Sequence, residues 1–334
     1  MTTLYAAMRD SLLIATGEEG DWTATETLTD HDLESVTASP ERPDRLFVGT
    51  FESGLLRSED GGETFERVGD TIASDAVMSV TISPHDPDEI WAGTEPSAVY
   101  RSFDGGDTWE SVGGITDLPS EDEWFFPPRP HTHHIRWLEL DPNDPDRVYV
   151  GIEAGAFVLS DDGGKTWRER PPGSRRDNHT LATHPDAPGR VYSAAGDGYA
   201  ESTDGGESWD VLHDGLDHRY VWGLAVAPDD PETVLVSSAS GAGSAHRMPA
   251  ESYLYRTQRS ENGVAWERLD DRGIPTGEGV VRAVIARGHE EGELYAVNNH
   301  GIFRTGDAGD SWTQLSVEWP ARFEGQTGRG LAVV

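Results

Sequence analysis

The sequence predicts an all-β fold: a seven-bladed β-propeller closed by pairing of the C-terminal strand with the N-terminal blade. Three observations predict it. An eight-residue motif recurs along the chain, strand-like runs flank each copy at a constant spacing, and the two chain ends supply complementary parts of one unit.

The motif reads Ser58-Glu59-Asp60-Gly61-Gly62-Glu63-Thr64-Phe65 and returns at Ser102 to Trp109, Ser160 to Trp167 and Ser202 to Trp209. Thr305 to Trp312 is a near copy with Ala308 for the first glycine, and two degenerate copies end at Trp22 and Trp266. In each, the aspartate can accept hydrogen bonds from its own turn and the glycines supply positive φ. The closing aromatic, as at Trp109, buries a large face beside neighbouring strands. These aspartates therefore read as scaffold.

Two strand-like runs precede each motif, as in Arg45 to Gly49 and Gly54 to Arg57. An inner run ending in a proline turn lies further upstream, as in Val80-Thr81-Ile82-Ser83-Pro84 and Leu224-Ala225-Val226-Ala227-Pro228. Four short strands (A to D) per unit of roughly 40–50 residues make a propeller blade. The blades fall at about 2–28 plus 328–334, 33–69, 77–112, 135–171, 179–213, 221–270 and 281–316, in one domain over 1–334. The start of the chain reads as strands B, C and D, and Gly330 to Val334 aligns with the A strands. The last strand therefore completes the first blade and removes an exposed sheet edge.

At these residues the chain resembles the Asp-box, or BNR-repeat, propellers. That group includes sialidases, the sortilin ectodomain, xyloglucan-degrading glycosidases and the photosystem II stability/assembly factor. The resemblance covers nearly the whole chain and implies fold, because the box is scaffold in enzymes and binders alike. Sialidases have six blades and an Arg-Ile-Pro signature; this chain has seven repeats and lacks that tripeptide. The nearest resemblance is to intracellular BNR-like repeat proteins, of haloarchaeal type.

Composition supports that last expectation. There are 26 basic and 61 acidic residues, a net charge of −35, and Lys165 is the one lysine. The acids are dispersed, so the charge is a whole-surface property that disfavours nucleic acid and anionic membranes as partners. Molar salt, with a Debye length of about 3 Å, screens such self-repulsion. The absence of cysteine excludes disulfides, thiolate catalysis and Cys-ligated zinc. No stretch is apolar and long enough to span a bilayer, and the start lacks a basic segment followed by an apolar run, so a halophilic, cytoplasmic location is expected.

A site is expected on the face opposite the Asp-boxes, where the D–A and B–C loops meet and where the long insertions 113–133 and 239–252 fall. Six positions before the proline turn or its equivalent stand Glu34, Met78, Arg136, His179, Trp222, Arg282 and Arg329, one per blade. The next inward positions, such as Val36, Val80 and Leu138, are apolar throughout. Equivalent positions of a closed ring approach one axis, so Arg136, Arg282 and Arg329 converge, with Trp222 beside them, and suit a carboxylate or phosphate. The B–C loops add Glu52, Glu95, Glu153, Asp197 and His300. The competing reading pairs each arginine with an acid, for example Arg136 with Glu153.

His179 and His134 are candidate general bases, and Glu153 and Asp197 are candidate acids or ligand contacts. His131, His133 and His134, with His179 and His300, are candidates for holding a divalent metal, although no cofactor is required. Glu95 and Glu153 are a candidate glycosidase pair, which needs carboxyls about 5–10 Å apart. Trp124-Phe125-Phe126 either stacks on a sugar or anchors its loop. Two functions remain open. One is a propeller binding a small anionic ligand, such as an acidic sugar, or a protein partner; the other is a glycoside hydrolase or polysaccharide lyase acting on an acidic sugar.

Overall fold

The computed structural model describes residues 1–18, 20–260 and 263–334. Seven antiparallel sheets form a ring, six of four strands and one of five. The inner strands are Leu33–Ser39, Val77–Ile82, Ile135–Leu140, Asn178–Thr183, Tyr220–Ala227, Val284–Arg287 and Gly330–Val333. Each packs against the A strand of the next blade, and Gly330–Val333 lies between those of the last and second blades.

Closure is as expected. Gly330–Val333 pairs antiparallel with Thr2–Ala7, Leu4 opposite Val333 and Ala7 opposite Gly330. Blades contact closely: a Cβ added to Gly93 would stand 2.5 Å from Ile135 Cγ2 of the next blade. Apolar clusters fill the spaces between sheets, as where Tyr149 and Phe157 of one blade meet Leu181, Val191 and Trp209 of the next. Burial of this kind stabilises by about 25 cal/mol per Å² of apolar surface.

The Asp-box chemistry is the same in the four full copies and in the near copy. Asp104 accepts from Thr108 N–H (2.8 Å), Thr108 Oγ1 (2.6 Å) and Ser102 Oγ (2.9 Å), while Gly106 N–H donates to Ser102 Oγ. Gly105 and Gly106 adopt φ of 72° and 91°, and the Gly105 N–H donates to Asp88 O of the A–B turn. The boxes thus lie with the A–B turns, which puts the D–A and B–C loops on the opposite face. The two degenerate copies include Glu19 and Glu261-Asn262, which lie outside the described residues; Trp22 and Trp266 are buried as expected. No helix among the described residues is long and apolar enough to cross a membrane.

Candidate functional site

The ring residues owe their orientation to a repeated irregularity. In five of the seven A strands the register with strand B shifts at a common place, where the skipped residues are Glu34, Met78, Arg136, His179 and Trp222. Arg282 and Arg329 stand just before the pairing of their strands begins. A bulge adds one unpaired residue and re-aims its side chain. The aligned position is therefore set off from the pleat that buries Leu138 and Leu181 below it.

Trp222 and Glu34 connect the arginines. The guanidinium carbons of Arg282 and Arg136 lie 4.0 Å and 5.0 Å from the Trp222 ring centroid. Arg136 and Arg329 share one carboxylate, Glu34, at 3.8 Å and 3.3 Å. The expected alternative pairing of Arg136 with Glu153 does not form as a contact, because Glu153 is engaged by His134. Arg282 has no carboxylate partner among the described residues. Its Nε donates to His246 Nδ1 (3.2 Å), and its two terminal nitrogens are buried without a hydrogen bond.

Burial, then Arg136 and Arg329, disfavours the charge of Arg282. A guanidinium nevertheless keeps its proton in proteins, so the cost remains as free energy. Burial and Arg282 push His246 down to about 2. The neutral ring accepts from Arg282 and lies 3.2 Å from Tyr220 Oη.

The layer is not the open mouth expected from the loops. The helical turn Ala242–His246 roofs it: Ala245 O accepts from Arg282 N–H, and His246 packs edge-on to Trp222. The space in contact with Arg136, Arg329 and Glu34 is an axial cavity of about 390 Å³. It runs along the A strands to Pro40 and His289 at the Asp-box end.

His134 lies between two carboxylates, Glu153 (3.0 Å) and Glu95 (3.3 Å). Burial works against its charge, but both acids outweigh that and raise its pKa. It therefore stands as an ion-pair partner of both acids. The candidate glycosidase pair Glu95 and Glu153 thus share the His134 ring between them. Arg129 also holds Glu95 as a bidentate pair, Nε donating to Oε1 at 2.6 Å and Nη2 to Oε2 at 2.5 Å. Although burial opposes it, Arg129 and His134 bring Glu95 down to about 2.

The neighbouring histidines diverge instead of forming a ligand set. His131 is exposed, and His133 bonds Ser97 and Glu121. The aromatic run anchors its loop: Trp124 is buried and donates to Ser120 Oγ, and Phe126 packs on His134. Asp197 stays at the rim, 3.6 Å from Arg175, and His300 is exposed beside Gly279 O, so neither touches the arginine layer.

His179 does join the layer, stacked on Trp222 at 4.1 Å. Its Nδ1 is 2.7 Å from Val221 O, and its Nε2 is buried without a hydrogen bond. Asp177, two residues upstream, comes within 3.8 Å of that Nε2. Asp177 and His246 escaped the sequence reading because neither occupies the aligned register. The insertion around His246 was the one available signal.

The fold and the boxes define the class: the chain is a seven-bladed propeller carrying Asp-box repeats. The BNR/Asp-box repeat family matches residues 158–169, which contain one of the four full copies. No curated protein sequence matches the chain. In fold it is similar to an ancestral GH74 enzyme (TM-score 0.66, 15% identity), covering 84% of this chain and 38% of that one. It thus spans well under half of that enzyme's length. It is also similar to YCF48 bound to D1 peptide (TM-score 0.59, 17% identity, covering 85% and 82%). The WD40 β-propeller domain of Doa1 is similar as well (TM-score 0.60, 11% identity, covering 91% and 88%).

Proposed function

We propose that this is a binding propeller that takes the carboxylate or phosphate of a small ligand at the axial arginine layer. The observation that carries the reading is Arg282. A fully buried guanidinium with two unbonded terminal nitrogens offers a bidentate anion site. Arg136 and Arg329, sharing only Glu34, add to the field. The 390 Å³ cavity beside them lies within the range of small-ligand sites, about 300–1,000 Å³. An acidic sugar meets these requirements, and so does a peptide carboxylate; YCF48, of similar fold, is seen with a D1 peptide. The dispersed acidity supports a concentrated-salt cytoplasm as the setting for this binder.

A second reading, a lyase or hydrolase acting on an acidic sugar, draws on the unbonded Nε2 of His179 as a base. The likeness to GH74 supports it in fold only.

Thermal shift on chelator-treated protein at constant ionic strength tests the first reading, using citrate, glucuronate, inorganic phosphate and a sugar phosphate. A ligand at 100 times its Kd stabilises by about 2.7 kcal/mol, about 4 °C for a chain of this size. Arg282→Met abolishes the shift. If no anion raises the melting temperature of the wild type above its effect on Arg282→Met, the reading is wrong.

A further inference from the structure

We propose that Glu153, Asp177 and His179 bind a divalent transition-metal ion, Zn²⁺ or Mn²⁺, at the edge of the arginine layer. One ligand atom from each lies within 4.8 Å of the other two. Ions with bonds of about 2.0–2.2 Å hold their ligands somewhat closer than that, so a small contraction completes the set.

The second observation is the state of His179. Its ring is fully buried, and Nδ1 faces the Val221 carbonyl, which can only accept. A proton therefore sits on Nδ1, which leaves Nε2, buried without a hydrogen bond, on the side of the two carboxylates. At 3.8 Å from Asp177 Oδ1 it makes no hydrogen bond. A cation between the three groups would give the unbonded ring nitrogen and both carboxylates a common partner.

Each ligand is also held from outside. His134 Nε2 fixes Glu153 at 3.0 Å, Ala154 N–H fixes Asp177 Oδ1 at 2.9 Å, and Val221 O fixes His179. Such outer hydrogen bonds orient metal ligands and set the imidazole tautomer. Gly196 leaves room for the arrangement: a Cβ there would stand 1.9 Å from Asp177 Oδ2. The Asp177 side chain is 32% exposed, which gives the ion a route in. One imidazole with two carboxylates suits Zn²⁺ or Mn²⁺ better than Ca²⁺ or Mg²⁺, which take oxygen ligands.

The test must set aside diffuse cation binding by 61 acidic residues. Chelator-stripped full-length protein in molar KCl is titrated with Mn²⁺ by electron paramagnetic resonance and with Zn²⁺ by calorimetry. The wild type binds about one equivalent. Asp177→Asn weakens binding by about 100-fold or more, and His134→Gln, which acts through orientation, by about tenfold. Glu123→Gln, an exposed acid elsewhere, changes nothing. A wild type without a stoichiometric site overturns the proposal, as does an Asp177→Asn variant that binds as the wild type does. The wild-type titration decides by itself if Asp177→Asn does not fold. Because the anion screen uses stripped protein, the two readings fail separately.

Discussion

Replacing Arg282 by methionine should raise the stability of the ligand-free protein, although Arg282 is fully buried. Each of its two unbonded nitrogens carries a desolvation cost of about 1–3 kcal/mol. The favourable contacts are the stack on Trp222, at most about 2 kcal/mol, and one hydrogen bond to His246, about 1 kcal/mol. Methionine keeps most of the apolar packing and removes the cost. The balance ranges from a loss of about 1 to a gain of about 3 kcal/mol, centred on a gain of about 1. With an unfolding entropy near 2.1 cal/mol/K per residue, that gain is about 1–2 °C. Arg190→Met is the matched control. Arg190 is also buried, but it bonds Glu201 at 3.0 Å and Glu232. Its loss removes one of the two cations on the buried Glu201 and costs about 3 kcal/mol, about 4 °C in the opposite direction. Scanning calorimetry of both variants at constant salt reads the signs. If Arg282→Met melts several degrees below the wild type, its guanidinium is satisfied in the folded protein and the argument for an anion site fails.

Other expectations follow from the ring and its charge. Deleting Gly330 to Val334 strips the strand paired with Thr2–Ala7 and should lower the melting temperature sharply; an unchanged melt would contradict closure through this pairing. Raising KCl from millimolar to molar should raise the melting temperature as the net charge of −35 is screened, and indifference to salt would count against the high-salt reading. Asp162 accepts from Thr166 and Ser160, which hold its pKa at about 2 against an ordinary 3.8. Because the folded value is the lower one, its stabilisation is complete above about 3.8 and is lost as pH falls through about 2. Urea unfolding of Asp162→Asn against the wild type should therefore show a gap at pH 7 that closes near pH 2; a gap independent of pH would refute this.

The blades were legible because repetition fixes both turn and spacing. Ser102, Asp104, Gly106 and Thr108 form one hydrogen-bonded turn whose geometry requires those residue types, so its recurrence marks strands C and D each time. The proline turns mark the end of strand A in the same way. Where the turn chemistry decays, at Trp22 and Trp266, only the aromatic kept the count.

The site was legible to a different depth. The register that aligned Glu34, Arg136, His179 and Trp222 is the register of the bulges, so counting back from the proline turn found residues a simple period of two would have assigned to the core. Their partners were not readable, because they arise from contacts between blades. His134 belongs to one blade and draws Glu95 from another, and His246 reaches Arg282 through a ten-residue strand and a helical turn. Charge counting failed for the same reason. In a chain with 61 acids, an arginine without a carboxylate partner is the improbable outcome. Arg136 and Arg329 share Glu34, and Arg190 and Arg259 each reach Glu201 and Glu232. Arg282 has imidazole and indole instead. In the proposed reading, this most buried arginine of a carboxylate-rich chain is left without one of its own acids so that an anion from outside the chain can take that place.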